Sequence, residues 1–261
     1  MTKSVILFLA ANPDGTSSVD LAAECAAVER ELKMTPGRDD FELRSKWAVT
    51  FDDLMRELNE LQPTILHFSG HGNTSGIVLH GSDGRAHSVA GDVLADMIES
   101  TGGSARVVVL NACFTDTQAE SLAEVVGCAV GMTDTIADDA ALAFSVAFYR
   151  ALGNHCSAYR AFQQARVALA GYKLDKRATP QCITRADVDA SALFLGSGPV
   201  EPAPPQRARE RAPAQAAGAS GGAGIQFNTT NNADNIEHTA IGELVIDDGA
   251  RSRSARNPKR G

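Results

Sequence analysis

Two short motifs hold the residues of this chain best suited to chemistry. In Ile65-Leu66-His67-Phe68-Ser69-Gly70-His71-Gly72 and in Val107-Val108-Val109-Leu110-Asn111-Ala112-Cys113, an apolar run ends in a reactive side chain, His71 or Cys113. Each reads as a buried strand, and in an open parallel α/β sheet the C-terminal strand ends line the crevice where ligands bind. A thiol and an imidazole brought together there are the minimum kit of a cysteine hydrolase. His71 stands between two glycines, which predicts a tight turn at the strand end. Gly72 also lets backbone approach a substrate closely, so its N–H is a candidate oxyanion donor. Cys113 precedes Phe114-Thr115-Asp116 and a helix, a setting whose dipole favours the thiolate. On the residues alone, Cys113 as a simple packing thiol stays open beside this reading.

The remaining histidines and cysteines read differently. His67 lies inside its apolar run and is expected to be a core histidine with a satisfied proton. His67 and His71 are four apart, a spacing that offers a metal two ligands on one side in a helix; a strand followed by a turn does not, and the glutamate of a metalloprotease helix is missing. No metal is expected. Cys25 and Cys128 fall on apolar faces and are expected to pack, while Cys156 and Cys182 lack any activating setting.

The elements that must position these groups alternate from residue 3 to 195. Ser4 to Ala10 is an apolar run short enough for a buried strand. After a turn at Asn12–Gly15, Leu21, Cys25, Val28 and Leu32 recur at helical spacing. A strand is predicted over Phe41–Val49. Thr50 is placed to cap a helix whose Phe51, Leu54, Leu58 and Leu61 share a face, and Pro63 stops it. Thr64–Phe68 follows as a strand, then a hairpin built on Gly76–His80 and the turn Gly81-Ser82-Asp83-Gly84. Further along, the pattern predicts a helix at 89–99, a strand at 106–110, a helix at 116–126 and a strand at 128–132. Helices over 138–152 and 157–173 come next, with a short last strand near Ser191–Leu195. Such alternation implies an α/β fold with a mostly parallel sheet and helices on both faces.

Composition narrows the possibilities. With 261 residues, 44% of them hydrophobic, the chain can bury a sizeable core. A formal charge of −8 argues against a general nucleic-acid binder, which needs a basic face to neutralise phosphates. No apolar run approaches the length of a membrane span. MTKSVILFLAANP superficially resembles a signal peptide, but its apolar core is short and meets a turn at once, so a first strand is the better reading. Five irregularly spaced cysteines suggest reduced thiols of a cytoplasmic protein. Past residue 196 the texture changes: 197–224 is a linker rich in Pro, Ala, Gly and Arg. Residues 225–250 form a short polar segment that could dock on a partner's sheet edge, and 251–261 is a basic, disordered end.

The strings HFSGHG and VVLNACF resemble the two signature motifs of CHAT domains, a caspase-like group related to caspases, separases and gingipains. The resemblance extends to ILFLAANP, to the helix bearing Glu24 and Glu29, and to GMTDTIADDAALAFSVAFYRAL, and covers roughly residues 3–195. It implies a caspase-hemoglobinase-like sandwich over 1–196 and a cysteine endopeptidase without cofactor or metal. In it Cys113 is the nucleophile, His71 the general base and acid, and the backbone N–H groups of Gly72 and Cys113 the oxyanion hole. No aspartate is required as a third member. The loop after the strand that follows the nucleophile helps shape the specificity pocket in this group; here it carries Asp134, Asp138 and Asp139, which would favour Arg or Lys before the cut. The plainer reading has Asp138 capping the next helix and Asp134 facing solvent. Arg207, Arg209 and Arg211 are then candidate self-processing sites. The resemblance further implies a protein substrate, gasdermin-like pore formers among the candidates, and a proteolytic effector of a regulatory or antiphage defence system. A partner protein would activate it, with 225–250 as the docking element. Two other classes compete: a catalytically silent interaction module of the same fold, and a nucleotide sensor using Asn12–Ser18 as a phosphate loop. The first is disfavoured by the presence of both His71 and Cys113, the second by the lack of GxGxxG and GxxxxGK[ST].

Overall fold

The computed structural model describes residues 3–174, 176 and 179–198. The chain divides into two units, Met1–Gln206 and Arg207–Gly261. The second unit, with Arg207, Arg209, Arg211 and the segments 225–250 and 251–261, lies outside the described residues, as does the linker from 199 onward.

The described strands and helices run β1 (Ser4–Ala11), α1 (Leu21–Met34), β2 (Phe41–Trp47), α2 (Phe51–Leu61), β3 (Ile65–Asn73), β4 (Gly76–His80) and β5 (Ala86–Val89). They continue with α3 (Gly91–Ser100), β6 (Val107–Asn111), α4 (Asp116–Leu122), β7 (Cys128–Met132), α5 (Asp138–Gly153), α6 (Ala158–Gly171) and β8 (Pro180–Thr184). The main sheet has the order β2-β1-β3-β6-β7-β8, with β8 alone antiparallel to its neighbour. β4 and β5 form the expected antiparallel hairpin beside the main path. A mostly parallel sheet flanked by helices on both faces is thus the observed architecture.

The two-residue period of the strands splits the core in two. Ile6, Ile65, Val107, Val109 and Val130 pack under Val28 and Leu32 of α1 and the apolar sides of α5 and α6. Their neighbours Leu7, Leu66, Val108, Leu110 and Ala129 pack against Leu54 and Leu58 of α2, Leu94 and Ile98 of α3, and Leu122 of α4. Strands buried on both faces read as continuous apolar runs, which is why they were legible. Thr50 caps α2 in a complete capping box with Asp53, and Gln62 ends that helix in the left-handed conformation just before Pro63.

Three expectations are corrected. β2 stops at Trp47 rather than Val49, because Ala48 adopts φ +49° and breaks the extended chain. β3 does not stop at Phe68: it runs to Asn73, pairing with β1 and β6 up to Gly70 and Ser69, then with β4 from His71 onward. A second partner for the protruding end is what allows the longer strand. Residues 191–195 are not a strand. Leu193 and Leu195 are buried, but the Leu193 and Ala190 carbonyls accept the Ala158 and Tyr159 N–H groups at 2.9 and 3.2 Å, satisfying the start of α6. Among the described residues the sheet's last strand is β8.

No helix among the described residues is long and apolar enough to cross a membrane.

Candidate active site

β3 and β6 are neighbours, with Ser69 opposite Asn111 at the end of their pairing. His71 and Cys113 each follow two residues later, one on either chain of this pair, and both are partly exposed. The topology therefore brings the two reactive residues to the same end of adjacent strands, as their motifs imply.

The glycines beside His71 serve close packing rather than a turn, since His71 is itself in extended strand. A Cβ on Gly70 would collide with the Ala11 carbonyl oxygen, and one on Gly72 with the carbonyl oxygen of Cys113. β3 is squeezed between the ends of β1 and β6, and only glycine fits on either side of His71. Gly72→Ala is accordingly expected to push the His71 and Cys113 segments apart. Cleavage or Cys113 alkylation should fall by about 100-fold, with a stability loss of about 1–3 kcal/mol in urea titration.

His71 is oriented by the loop between β1 and α1. Its Nε2 lies 2.8 Å from the Ser17 carbonyl oxygen and 3.0 Å from Asn12 Oδ1. A carbonyl only accepts, so Nε2 carries the proton and Nδ1 is the nitrogen free to take one up. The hairpin holds this loop: the Asn12 N–H donates to His80 Nε2 at 3.2 Å, and the Asp14 N–H to the Gly84 carbonyl at 3.2 Å. The stretch considered as a phosphate loop thus spends Asn12 and Ser17 on the imidazole. Neither partner was anticipated. Asn12-Pro13-Asp14-Gly15 reads as turn punctuation, and a backbone carbonyl leaves no signature in a sequence.

Cys113 lies in a tight connection between β6 and α4. Phe114 has φ +53°, a left-handed conformation uncommon for a bulky residue. Its N–H donates to the Asp134 carbonyl at 3.3 Å, and the Thr115 N–H to the Met132 carbonyl at 2.8 Å. The buried Thr115 hydroxyl binds the Ala112 carbonyl at 2.9 Å and receives the Met132 N–H at 3.0 Å. The loop after β7 is thereby laced to the cysteine turn, and the Ile136 N–H comes within 3.4 Å of Cys113 Sγ. Asp134, Asp138 and Asp139 flank the cysteine on this loop and on the first turn of α5, all three exposed. Asp138 is not the helix cap; Ala137 holds that position, and both acids of the first turn favour the helix dipole.

A buried polar cluster underlies both strand ends. Glu24 of α1, 4% exposed, accepts from His67 Nε2 at 3.1 Å, Asn111 Nδ2 at 2.7 Å, Ser145 Oγ at 2.6 Å and Ser69 Oγ at 2.5 Å. The Tyr149 hydroxyl lies 3.1 Å from His67 Nδ1, and the Phe8 ring stacks on that imidazole at 4.8 Å. His67 is the satisfied core histidine expected of it, and it shares no partner with His71. Burial, the largest influence on Glu24, pushes its carboxyl up, but the bonds and charge of His67 with the Ser145 and Ser69 bonds outweigh it. The carboxyl is held below its ordinary value of 4.5. Stability drawn from a depressed carboxyl is complete above the ordinary value and is lost as pH falls through the folded one. Melting curves should therefore drop steeply below about pH 4.5 in the natural chain and less steeply in Glu24→Gln. Glu24 was legible in principle: it stands three residues after Leu21 and four before Val28, on the apolar face of its helix.

A curated relative, a Roc-COR-CHAT protease from an unknown prokaryotic organism, is 28% identical over 158 residues. The match covers 58% of this chain and 15% of that protein, so the chain spans a small part of the relative's length. A solved secreted C11 cysteine protease from Bacteroides thetaiotaomicron, in complex with an irreversible peptide inhibitor, aligns at a TM-score of 0.49 and 11% identity, over 65% of this chain and 60% of that one. The family model of the CHAT domain matches residues 7–187, a stretch that contains both motifs, the Asn12–Ser17 loop and Glu24. The chain belongs to the CHAT domain family.

Proposed function

We propose that this chain is a cysteine endopeptidase working through a Cys113–His71 dyad. The observation that carries the reading is the anchoring of His71: with Nε2–H held by Ser17 and Asn12, one ring nitrogen, Nδ1, is left to exchange protons. Nδ1 takes the Cys113 thiol proton, and the thiolate attacks the scissile carbonyl. The N–H groups of Gly72 and Cys113 receive the oxyanion. Nδ1–H then protonates the leaving amine, forming a thioester and the first product. Nδ1 next takes a proton from water, whose hydroxide displaces Cys113 and releases the acid. Throughout, Nε2–H keeps its two acceptors, which hold the imidazolium as well as the imidazole.

The acids beside the cysteine support a preference for substrates with Arg or Lys before the cut. Being exposed, Asp134, Asp138 and Asp139 would act as an acidic rim that steers the side chain rather than as a buried counter-ion. The five thiols are free in the fold, in keeping with work in the cytoplasm. The wider role proposed is that of a partner-activated effector in a regulatory or antiphage defence system, cleaving a protein substrate such as a pore former. The family resemblance supports this role. Residues 225–250 are the proposed docking element.

The test is digestion of a proteome-derived peptide library by the natural chain, with Cys113→Ala as control and new termini read by mass spectrometry. Cuts confined to the natural chain and enriched in Arg or Lys before the bond are expected. Identical profiles for the two proteins, together with unreactive Cys113, would leave a silent interaction module as the better account.

A further inference from the structure

The proposed chemistry uses neither Glu24 nor any group bonded to it, yet the fold gathers an unusual number of partners on this one buried carboxylate. Burying a charge is expensive unless several donors satisfy it, so such a cluster normally has a structural or functional reason. Its placement supplies one. His67, Ser69 and His71 lie on one face of β3 by the two-residue strand period. Asn111 stands opposite Ser69 on β6. Ser69 is about 7 Å of strand before His71, and Asn111, the last residue of β6, is two residues before Cys113. Glu24 Oε2 takes the Ser69 hydroxyl, while Oε1 takes Asn111 Nδ2 and the Ser145 hydroxyl of α5. One side chain thereby ties α1 and α5 to the last residues paired between β3 and β6.

We propose that Glu24 is a positioning residue of the dyad: by clamping Ser69 and Asn111 on a single carboxylate, it fixes the placement of His71 relative to Cys113. This rests on the dyad proposed above. The clamp is one-sided in a telling way. Asn111 directs its amide nitrogen to Glu24, to the Ala141 carbonyl at 3.1 Å and to Ser145 Oγ at 3.2 Å, while its Oδ1 is buried without a partner among the described residues. A buried acceptor left unsatisfied costs stability, so this arrangement holds Asn111 in one orientation at some expense. The ionisable groups around the carboxylate are His67 on β3, Tyr149 on α5 and Cys25 on α1 itself; burial raises the Tyr149 hydroxyl well above its ordinary value and raises the Cys25 thiol, so neither adds charge near neutral pH. The donors to Glu24 can thus be removed one at a time.

The test follows the rate at which iodoacetamide alkylates Cys113 between pH 5.5 and 9, read by peptide mass spectrometry on the full chain. The natural protein is compared with His71→Ala, Glu24→Gln and Ser69→Ala, each shown to be folded by circular dichroism. In the natural chain His71 assists thiolate formation, so its profile should extend to lower pH than that of His71→Ala. Glu24→Gln is expected to lose about tenfold in rate near neutral pH and to shift towards the His71→Ala profile. Ser69→Ala, which removes one of the two β3 bonds to Glu24 and leaves that of His67, should shift the same way by a smaller factor. It decides the matter if Glu24→Gln fails to fold. A purely structural Glu24 would lower the melting temperature and leave the alkylation profile of the folded variants unchanged, and that result overturns the positioning role. Coincident profiles for the natural chain and His71→Ala would overturn the dyad itself, and the positioning role with it.

Discussion

Cys113→Ala is expected to reduce peptide cleavage by at least about 10⁴-fold while leaving the fold intact. The two halves of this expectation have separate physical grounds. Without the sulfur there is no atom to form the acyl intermediate, and the oxyanion donors have no tetrahedral centre to stabilise. The structural cost is small because Cys113 is partly exposed and its sulfur, a weak acceptor, receives the Ile136 N–H at 3.4 Å. The turn that carries it is held by Phe114 and Thr115 backbone bonds to Asp134 and Met132 and by the Thr115 hydroxyl, none of which involves the thiol. The melting temperature should stay within about 2 °C of the natural chain. Steady-state cleavage of a peptide selected from the library, together with a thermal melt, measures both. A folded variant that still cuts at the natural rate would remove Cys113 from the mechanism.

The same contrast between side chains that announce themselves and backbone groups that do not explains what was legible in advance. Apolar runs such as Val5–Leu9 and Val107–Leu110 read as buried strands, and the first two helices between the strands showed one apolar face each, so the alternation and the sheet could be read directly. His71 and Cys113 stood out because each closes such a run with a reactive group. The length of β3 was not legible: Ser69-Gly70-His71-Gly72 has the residues of a turn, and its extended path depends on β4 pairing with it. Nor was the role of the glycines, which follows from the Ala11 and Cys113 carbonyls lying against them in space. The segment 191–195 misled because Leu193 and Leu195 face the core as strand residues would, whereas the Leu193 carbonyl is taken by α6 and those of Phe194 and Leu195 by the Arg106 and Ser4 side chains. Glu24 entered only as part of the family resemblance and was given no role, despite a local signal, an acid on the apolar stripe of α1.

His71→Ala carries the second largest effect, a loss of about 10²–10⁴-fold in cleavage. It should be smaller than the loss from Cys113→Ala, because a thiol still ionises slowly into a competent nucleophile without help. The variant's pH profile separates base catalysis from mere packing. In the proposed dyad the proton leaves sulfur for His71 Nδ1, and the active form would be available near neutral pH. Without it the thiolate must form by loss of a proton to solvent, so the remaining rate should climb through the alkaline range instead of levelling off. Asn12→Ala supplies the intermediate case. It removes one of two acceptors from Nε2 but leaves the Ser17 carbonyl at 2.8 Å, which alone still dictates which nitrogen bears the proton. The ring gains freedom to tilt while its tautomer is preserved, so the loss should be about tenfold and the shape of the pH profile should not change. An Asn12→Ala profile that moved to the alkaline form of His71→Ala would mean that Asn12, and not the carbonyl, sets the protonation of the imidazole. The order of the three losses thus reports the division of labour: sulfur for the bond, Nδ1 for the proton, and the β1–α1 loop for the direction in which the ring points.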